Sequence, residues 1–332
     1  MATERMTSLS SLEQEALTED IRRGGELIRS GRLVAFPTET VYGLGANALD
    51  PEAVRRVYEA KGRPSTSPMI VHVASMEMAR KLVASWPPAA EKLTARYWPG
   101  PLTLVLPKAA CIPDVVTSGT ETVALRMPDH PLTLALIREA GVPVVGPSAN
   151  RFTKLSPTTA QHVRDGLGDR VDLILDGGPT RVGIESTILS LAVSPPRLLR
   201  PGMITQTAIE ALIGPIEVGA HLENENAPHP SPGLHRKHYS PATQVVIVND
   251  GSLPSQGRGV YLYREQTAAA AKSVQMPVDA PSYAAVLYGT LHREDTAGWD
   301  WIAVERLPAG PQWAGIADRL KRAAAKAVPP KR

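Results

Sequence analysis

Cysteine and aromatic residues are scarce in this sequence. Its 332 residues include a single cysteine, Cys111, so an intramolecular disulfide and a zinc site built from several cysteines are both excluded. A chain so poor in cysteine is typical of a reducing compartment, and we expect a cytoplasmic protein. Aromatic residues make up 5% of the chain, which disfavours the stacking platforms that bind single-stranded nucleic acid.

A strong charge of one sign and long apolar runs are also missing. The 36 Lys and Arg residues nearly balance the 33 Asp and Glu residues. The resulting net charge of +3 excludes a strongly basic nucleic-acid coat, although it permits local basic pockets. No run of about 18 apolar residues occurs, so we expect no membrane span. Residues 1–20 carry several acids and no apolar core, unlike a signal peptide.

Short apolar strands alternate with helices along the chain, which predicts an α/β fold. Strands are predicted at 32–36, 69–73, 102–106, 122–126, 142–145, 171–175, 187–191, 244–248, 259–263 and 301–305. Helices are predicted at 11–30, 51–60, 75–84, 89–97, 131–140, 158–165, 205–213 and 311–327. Asp50 and Pro51 are typical of a helix start, and Gly141 of a helix end.

The length and the distribution of proline and glycine predict two folded units. We expect a catalytic unit at 1–213, a linker at 214–241 and a smaller α/β unit at 242–332. The segment 214–234 lacks an apolar period and is rich in Pro, Gly, Asn and His, which is typical of a linker. We expect this linker to act as a lid that substrates order, with residues 238–241 (HYSP) as its anchor.

Two patterns that suggest other chemistry lack the necessary context. The glycines of GLGANA (43–48) fit a loose dinucleotide motif, but no helix opens within the motif and position 63 is Arg rather than an acid. We interpret these glycines as turn or close-approach positions. The histidines of the predicted linker have no metal-ligand spacing, and we interpret them as linker residues rather than a metal site; they are His221, His229, His235 and His238.

Basic residues recur at predicted strand and helix ends. Lys61 and Arg63 are spaced to converge on one polyanion from what we expect to be an exposed loop, Arg126 ends a predicted strand, and Arg200 lies in the segment RLLRPG that follows another. Hydroxyl and amide side chains follow other strands, in PSAN (147–150) for example. Polar groups at strand ends of an α/β sheet are where ligands bind. The pattern therefore predicts a basic, concave site for an anionic ligand.

A series of ordered motifs resembles a known family. The motifs are PTETVYGLGANA (37–48), KGRP (61–64), WPGPLT (98–103), VALRMP (123–128), PSAN (147–150), SPT (156–158), GIEST (183–187) and RPG (200–202). Over about residues 15–210 the chain resembles the YrdC-like family of L-threonylcarbamoyladenylate synthases. HYSP and a C-terminal α/β unit resemble the long, two-domain form. The resemblance implies a twisted open sheet with flanking helices, followed by a smaller Rossmann-like unit.

The resemblance also implies a reaction and its partners. L-Threonine, bicarbonate and ATP would give threonylcarbamoyl-AMP and pyrophosphate, with Mg²⁺ accompanying ATP and no tightly bound metal on the protein. The product would supply a separate transferase complex that modifies tRNA next to the anticodon; whether this chain touches tRNA itself is left open. The nucleotidyltransferase step needs alignment and charge neutralisation more than covalent chemistry.

Site residues follow from the same resemblance, position by position. Threonine would be held by Thr40, His72, Arg126, Gly146 and Ser186. ATP would be held by Lys61, Arg63, Ser67, Thr122, Ser148, Asn150, Ser156, Arg200 and Tyr239. Lys61 and Arg63 would be catalytic. Without the resemblance, we would interpret His72 as a core histidine, and Ser148 and Ser156 as helix caps.

Two alternative functions remain open at this point. A double-stranded RNA-binding module without catalysis could use a basic concave sheet to grip phosphates, although a net charge of +3 weakens that interpretation. A carbamoyl-transfer enzyme of the hydrogenase-maturation kind contains a similar domain, but such chains carry cysteine-rich zinc fingers, and this chain has Cys111 alone.

Overall fold

The computed structural model describes residues 11–219, 239–249 and 251–325. These residues form two β-sheets with helices packed against them, a mixed sheet of ten strands and a parallel sheet of four. The predicted α/β fold class, with a large open sheet and a smaller second one, is confirmed.

The ten-stranded sheet contains every strand between residues 34 and 218. Its strands are β1 (Val34–Phe36), β2 (Gly43–Asn47), β3 (Ile70–His72), β4 (Leu102–Pro107), β5 (Thr122–Arg126), β6 (Val144–Val145), β7 (Leu173–Ile174), β8 (Thr187–Ser190), β9 (Arg197–Arg200) and β10 (Glu217–Val218). Their spatial order is β10-β9-β8-β4-β5-β3-β6-β2-β1-β7. β3 and β5 run parallel at the centre, with His72 opposite Arg126. Both side chains therefore leave the sheet at the same carboxyl edge.

The helices around this sheet, apart from the short α5, begin and end close to the predicted positions. They are α1 (Ser11–Arg29), α2 (Pro51–Lys61), α3 (Met76–Lys81), α4 (Pro88–Tyr97), α5 (Asp114–Thr117), α6 (Pro131–Ala140), α7 (Ala160–Leu167) and α8 (Gln206–Ile213). The Asp50 side chain accepts hydrogen bonds from the first amides of α2, as the Asp-Pro pair predicts. Gly141 ends α6 with a φ of 67°, a left-handed conformation that glycine adopts without strain.

The four-stranded sheet has the order β11-β14-β12-β13 and is parallel throughout. Its strands are β11 (Gln244–Val248), β12 (Gly259–Tyr263), β13 (Lys272–Gln275) and β14 (Trp301–Glu305). Helix α9 (Ala280–Asp295) connects β13 to β14, and α10 (Ala314–Ala323) follows β14. Short 3₁₀ helices occupy Gly168–Arg170 and Pro311–Trp313.

The hydrophobic core of the smaller sheet reaches into the first part of the chain. Alongside residues of α9, α10 and the four strands, this core contains Val41, Leu155 and Ile184. Burying apolar surface from both parts in one cluster stabilises their contact. The elements that carry Val41 and Ile184 also carry predicted site residues, so the second sheet and its helices pack directly behind the site.

Several elements differ from the sequence-based expectation. Strand β2 runs through GLGANA, so the expected turn there is wrong, whereas the expected close approach is correct. A Cβ atom on Gly43 or Gly45 would lie 2.8 Å from the Phe36 ring, so only glycine lets β2 pack over that ring. Strands β9, β10 and β13 and helix α5 are further additions, and β10 carries the first sheet past residue 213.

Part of the predicted linker lies outside the described residues. This holds for positions 220–238, and therefore for most of the predicted lid and for the four linker histidines. Tyr239 and Ser240 are described, and both are buried. Within the described ranges, no helix is both long enough and apolar enough to cross a membrane.

Candidate active site

A cavity of about 40 Å³ lies at the carboxyl edge of the central strands β3 and β5. Its described lining consists of Thr40, Val41, Arg63, Ile70, His72, Arg126, Gly146, Pro147, Ser148, Glu185, Ser186, Arg200 and Tyr239. All five residues predicted to hold threonine are in this lining, together with four of those predicted to hold ATP. The structure thus brings together residues that are up to about 200 positions apart in the sequence, and three of the four predicted cations are among them.

His72 lies against the backbone that follows β6. A Cβ atom on Gly146 would be only 2.6 Å from His72 Nδ1, so the glycine makes room for the imidazole ring. Burial, and then the charge of Arg126, hold the pKa of His72 well below its ordinary value, so its ring is neutral at neutral pH. Within the described chain, Nδ1 has no hydrogen-bond partner, which leaves this atom free to meet a ligand.

Arg126 forms a buried ion pair with Glu39. Arg126 Nη2 lies 2.7 Å from Glu39 Oε2, and Arg126 Nε donates to the Gly100 carbonyl at 3.2 Å. Nη2 and both Glu39 carboxylate oxygens have no aligned hydrogen bond among the described residues, so the pair is a contact of charges only. Because Nη2 has no aligned hydrogen bond to Glu39, the Arg126 guanidinium can bind another carboxylate that reaches it in better geometry.

Ser186 stands at the centre of a hydroxyl and guanidinium cluster. Its Oγ lies 2.8 Å from Thr103 Oγ1, and Arg200 donates to it from Nη2 at 3.1 Å. Arg200 Nε also donates to the Ser186 carbonyl at 3.1 Å. These bonds fix Arg200 against the segment that carries Ser186, so the two side chains face the cavity as one unit.

Lys61 and Arg63 flank Gly62, the left-handed end of α2. We expected exposed loop cations, and this expectation is wrong, because Lys61 is 3% and Arg63 8% exposed. Lys61 Nζ donates to the carbonyls of Ser148 and Asn150, the latter at 2.5 Å. Arg63 donates from Nε to the Ser67 carbonyl at 3.1 Å. Arg63 therefore lines the cavity itself, and Lys61 is bonded to the main chain of Ser148, which lines it too.

Burial also lowers the pKa of both cations. It holds the pKa of Lys61 well below its ordinary value, and the neighbouring charge of Arg63 lowers it further. The pKa of Arg63 falls to about 10, again mainly because of burial. A buried group whose charged form is disfavoured gains most from an incoming anion. Both positions are thus poised to receive negatively charged phosphates.

The remaining residues predicted to hold ATP lie outside the described lining of the cavity. Asn150 follows Ser148 and presents its carbonyl to Lys61, and Ser156 Oγ donates to Glu185. Ser67 is fully buried beside Arg63. Thr122 begins β5, about 13 Å along the strand from Arg126 at the other end, and its side chain is on the same sheet face. The structure therefore does not bring Thr122 to the cavity.

Two carboxylates at this site were not predicted to function there. Glu39 and Glu185 occur inside the quoted motifs PTET and GIEST, but no role or partner was predicted for either carboxylate. Both are buried, and both pair with an arginine, Arg126 and Arg319 respectively. The signal that could have singled them out is an acidic residue inside a motif whose other residues are uncharged. If such a motif is buried, its charge needs a partner.

A metal site on the protein side chains was not expected. Across the residues the structure describes, no group of three or more His, Cys, Asp or Glu side chains is placed to hold a metal ion. Apart from the Glu185 carboxylate, which is bonded to Arg319, the polar side chains that line the cavity are guanidinium, hydroxyl and imidazole groups, which suit phosphate and carboxylate better than Mg²⁺.

Comparisons with known families cover nearly all of the chain. A family model described as "Telomere recombination" matches residues 26–202. A second one, described as the C-terminal domain of threonylcarbamoyl-AMP synthase, matches residues 204–325. The first match contains every motif quoted above from KGRP to RPG, and the second contains the four-stranded sheet.

Relatives with this two-part architecture are similar over most of their length. A threonylcarbamoyl-AMP synthase of Bacillus subtilis is 45% identical over 92% of this chain and 92% of its own. One of Pyrococcus abyssi is 46% identical over 73% of this chain and 72% of its own. The crystal structure of P. abyssi Sua5 complexed with L-threonine matches with a TM-score of 0.86 and 40% identity, over 92% of this chain and 94% of that one.

Proposed function

Since this chain belongs to the threonylcarbamoyl-AMP synthase family, we propose that its small cavity is where L-threonine meets the phosphates of ATP. The chain is a nucleotidyltransferase that makes threonylcarbamoyl-AMP. One observation supports the location of the site: the residues predicted for threonine border the same cavity as Arg63 and Arg200, two of the three cations predicted for ATP, at the edge where His72 and Arg126 leave the sheet.

Threonine takes the end of the cavity nearest β3 and β5. Arg126 binds its carboxylate, because a guanidinium offers two parallel donors to a carboxylate. The neutral His72 ring and the hydroxyls of Thr40 and Ser186 bind its amine and hydroxyl groups. The complex of P. abyssi Sua5 with L-threonine, a protein 40% identical to this chain, supports this choice of substrate.

ATP takes the end of the cavity bordered by the buried cations. Lys61 and Arg63 neutralise the phosphates from the end of α2, and Arg200 does so from the end of β9. Ser148 and Asn150 lie beside Lys61 and align the nucleotide with it. Mg²⁺ arrives with ATP as part of the substrate and contributes further charge neutralisation.

The chemistry that suits this arrangement starts from threonine and bicarbonate. The threonine amine takes up the carbon of bicarbonate and forms a carbamate, with loss of water. One carbamate oxygen then attacks the α-phosphorus of ATP. The bond from the α-phosphorus to the oxygen bridging to the β-phosphate breaks, and pyrophosphate leaves. Aligning the reactants and neutralising their charge are the main requirements. A closed cavity also protects the carbamate from water.

Both substrates are larger than the present cavity. About 40 Å³ holds roughly three water molecules, so threonine and a triphosphate enter only if lining side chains move aside. Glu39 and Tyr239 are the large side chains whose displacement would open the space at each end. Tyr239 is the residue of HYSP that we predicted to contact ATP, and it is 1% exposed.

The wider setting follows from the product. A threonylcarbamoyl group linked to AMP is an activated acyl donor, so we also propose a downstream transferase complex that passes this group to tRNA. The place for that step is the cytoplasm, where tRNA is modified. No contact of this chain with tRNA is needed for the reaction itself.

The proposal is tested by measuring pyrophosphate release from ATP with the full chain, with each component omitted in turn. We expect release only when L-threonine, bicarbonate and Mg²⁺ are all present, and less with L-serine in place of threonine. A double-stranded RNA-binding module, which the comparisons do not favour, would release none. Release that is independent of threonine or bicarbonate would contradict the proposed substrates.

A further inference from the structure

Two side chains of the second unit reach the wall of the cavity. Arg319 of α10 donates from Nε to Glu185 Oε2 at 2.7 Å, and the Tyr288 hydroxyl of α9 donates to the same oxygen at 3.1 Å. Arg319 and Tyr288 are both fully buried, and Glu185 lines the cavity directly before Ser186. Residues from the far end of the chain thus hold a carboxylate at the candidate active site.

Arg319 also joins two separate segments of the first unit through their main chains. Its Nη2 donates to the Glu185 carbonyl at 3.1 Å, and its Nη1 donates to the Pro201 carbonyl at 2.9 Å. Glu185 precedes Ser186, and Pro201 follows Arg200. One guanidinium therefore spans both segments that supply the Ser186–Arg200 pair.

The backbones of the two units meet closely at the same two segments. A Cβ atom on Gly183 would lie 2.2 Å from the Ala284 carbonyl oxygen of α9. A Cβ atom on Gly315 would lie 2.9 Å from the Cα atom of Gly202. At both contacts only glycine leaves room for the backbone of α9 or α10 to lie this close to the segments that carry the site residues.

The electrostatic balance at Glu185 depends on the second unit. Burial alone would raise the pKa of this carboxyl, but the charges of Arg319 and Arg200 and the hydrogen bonds from Ser156 and Arg319 lower it below its ordinary value. Asp318 lies beside Arg319, with Oδ2 at 2.9 Å from Nη1, and the Tyr239 ring packs 5.4 Å from the Arg319 guanidinium. Among the groups that lower the pKa of Glu185, the charge of Arg319 has the largest effect.

We propose that Arg319 and Tyr288 are positioning residues of the synthase reaction, which hold Glu185 so that Ser186 and Arg200 face the substrates. The second unit thereby completes the active site instead of serving only as an appended fold. This proposal depends on the site assignment made above. It extends that assignment to two residues that no sequence motif marks and that touch no substrate.

The test compares single-atom and charge-conserving variants of the full chain. Tyr288→Phe removes one hydroxyl, and Arg319→Lys keeps the charge but loses the bonds to both main-chain carbonyls. We expect kcat/KM for threonine to fall about tenfold in Tyr288→Phe and about a hundredfold in Arg319→Lys, since hydrogen bonds to charged groups are strong. The matched control is Tyr283→Phe, a buried tyrosine of the same helix whose ring packs on Trp313 instead.

A structural role alone would change the melting temperature without changing kcat/KM of the folded enzyme. We therefore measure both quantities for each variant. If Tyr288→Phe and Arg319→Lys retain the kcat/KM of the wild-type enzyme and of Tyr283→Phe, the positioning role is overturned. If the wild-type enzyme itself forms no threonylcarbamoyl-AMP, the proposed function fails instead, so the two failures are distinguishable.

A rescue experiment separates positioning from general damage. Arg319→Met leaves the Glu185 carboxylate buried without its cation, and we expect activity to be lost. Adding Glu185→Gln removes that charge, so the double variant should recover at least about tenfold in kcat/KM over Arg319→Met alone. No recovery in a folded double variant would contradict a role exerted through Glu185. If Arg319→Met does not fold, the comparison of Tyr288→Phe with Tyr283→Phe still decides the proposal.

Discussion

Arg126 and Glu39 form a buried ion pair in which Nη2 and Oε2 lie 2.7 Å apart without an aligned hydrogen bond. Arg126 is the group that we propose for the threonine carboxylate, so Glu39 occupies part of the place that this carboxylate needs. The substrate must share or displace the Glu39 carboxylate. Glu39 thus neutralises the guanidinium until threonine arrives.

The first prediction concerns stability in the absence of threonine. Glu39→Gln leaves the buried Arg126 charge without a counter-ion, so the free energy of unfolding should fall by about 3 kcal/mol. Saturating threonine supplies a new carboxylate and should restore part of this loss. Thermal unfolding should therefore show a larger threonine-induced rise in melting temperature for Glu39→Gln than for the wild-type protein. Equal rises in both proteins would show that threonine does not bind Arg126.

The second prediction concerns the space beside His72. Gly146→Ala places a methyl group 2.6 Å from His72 Nδ1 and 2.7 Å from Phe36 Cζ, so it must shift the imidazole. We expect a loss of about 2 kcal/mol in stability and a marked rise in KM for threonine. Gly166→Ala is the control, because nothing lies within 4 Å of its Cβ position, and it should leave activity unchanged. Unchanged threonine KM in Gly146→Ala would remove His72 from the site.

The third prediction is that ATP binding takes up a proton. In the free protein the pKa of Lys61 is well below its ordinary value of 10.5, because the side chain is buried and Arg63 is near. Phosphates favour the charged ammonium and raise this pKa, so the bound state holds more protons. The affinity for ATP should therefore fall as the pH rises. Calorimetry in buffers of different ionisation enthalpy, at a series of pH values above the phosphate pKa of ~6, measures the uptake.

The same pKa shift fixes the sign of the stability change in the free protein. The unfolded chain binds a proton at Lys61 more readily than the folded protein does, so this group makes stability rise with pH between its lowered pKa in the folded protein and the ordinary value of 10.5. Lys61→Met should abolish both this slope and the proton uptake. An uptake that persists in Lys61→Met would have to be assigned to another group.

Much of the fold could be predicted because local signals agree with the tertiary structure. Helix α2 has an acid and a proline at its start and a glycine at its end, and the structure places it at Pro51–Lys61. The apolar strand runs are short and separated by helices, which is typical of an α/β sheet. Strand β2 was missed because its glycines have low strand propensity, whereas in the structure they make room for the Phe36 ring of the neighbouring strand β1.

The site could be predicted only as far as motifs identify residues. The resemblance gave the positions that surround the cavity, but not their burial or their partners. Lys61 was expected to be exposed because a helix end is usually solvated, whereas the PSAN segment covers it. Arg319 and Tyr288 belong to no motif, and their contacts with Glu185 join residues more than 100 positions apart. Such long-range pairs are not visible in one sequence.

The central claim is that one cavity holds threonine on Arg126 and the triphosphate on Lys61 and Arg63. A crystal structure of the protein with L-threonine, Mg²⁺ and a non-hydrolysable ATP analogue tests it most directly. We predict the threonine carboxylate within hydrogen-bond distance of Arg126, and phosphate oxygens on both other cations. Nucleotide bound instead in the separate cavity of about 680 Å³ beside Arg151 and Lys154 would contradict the account.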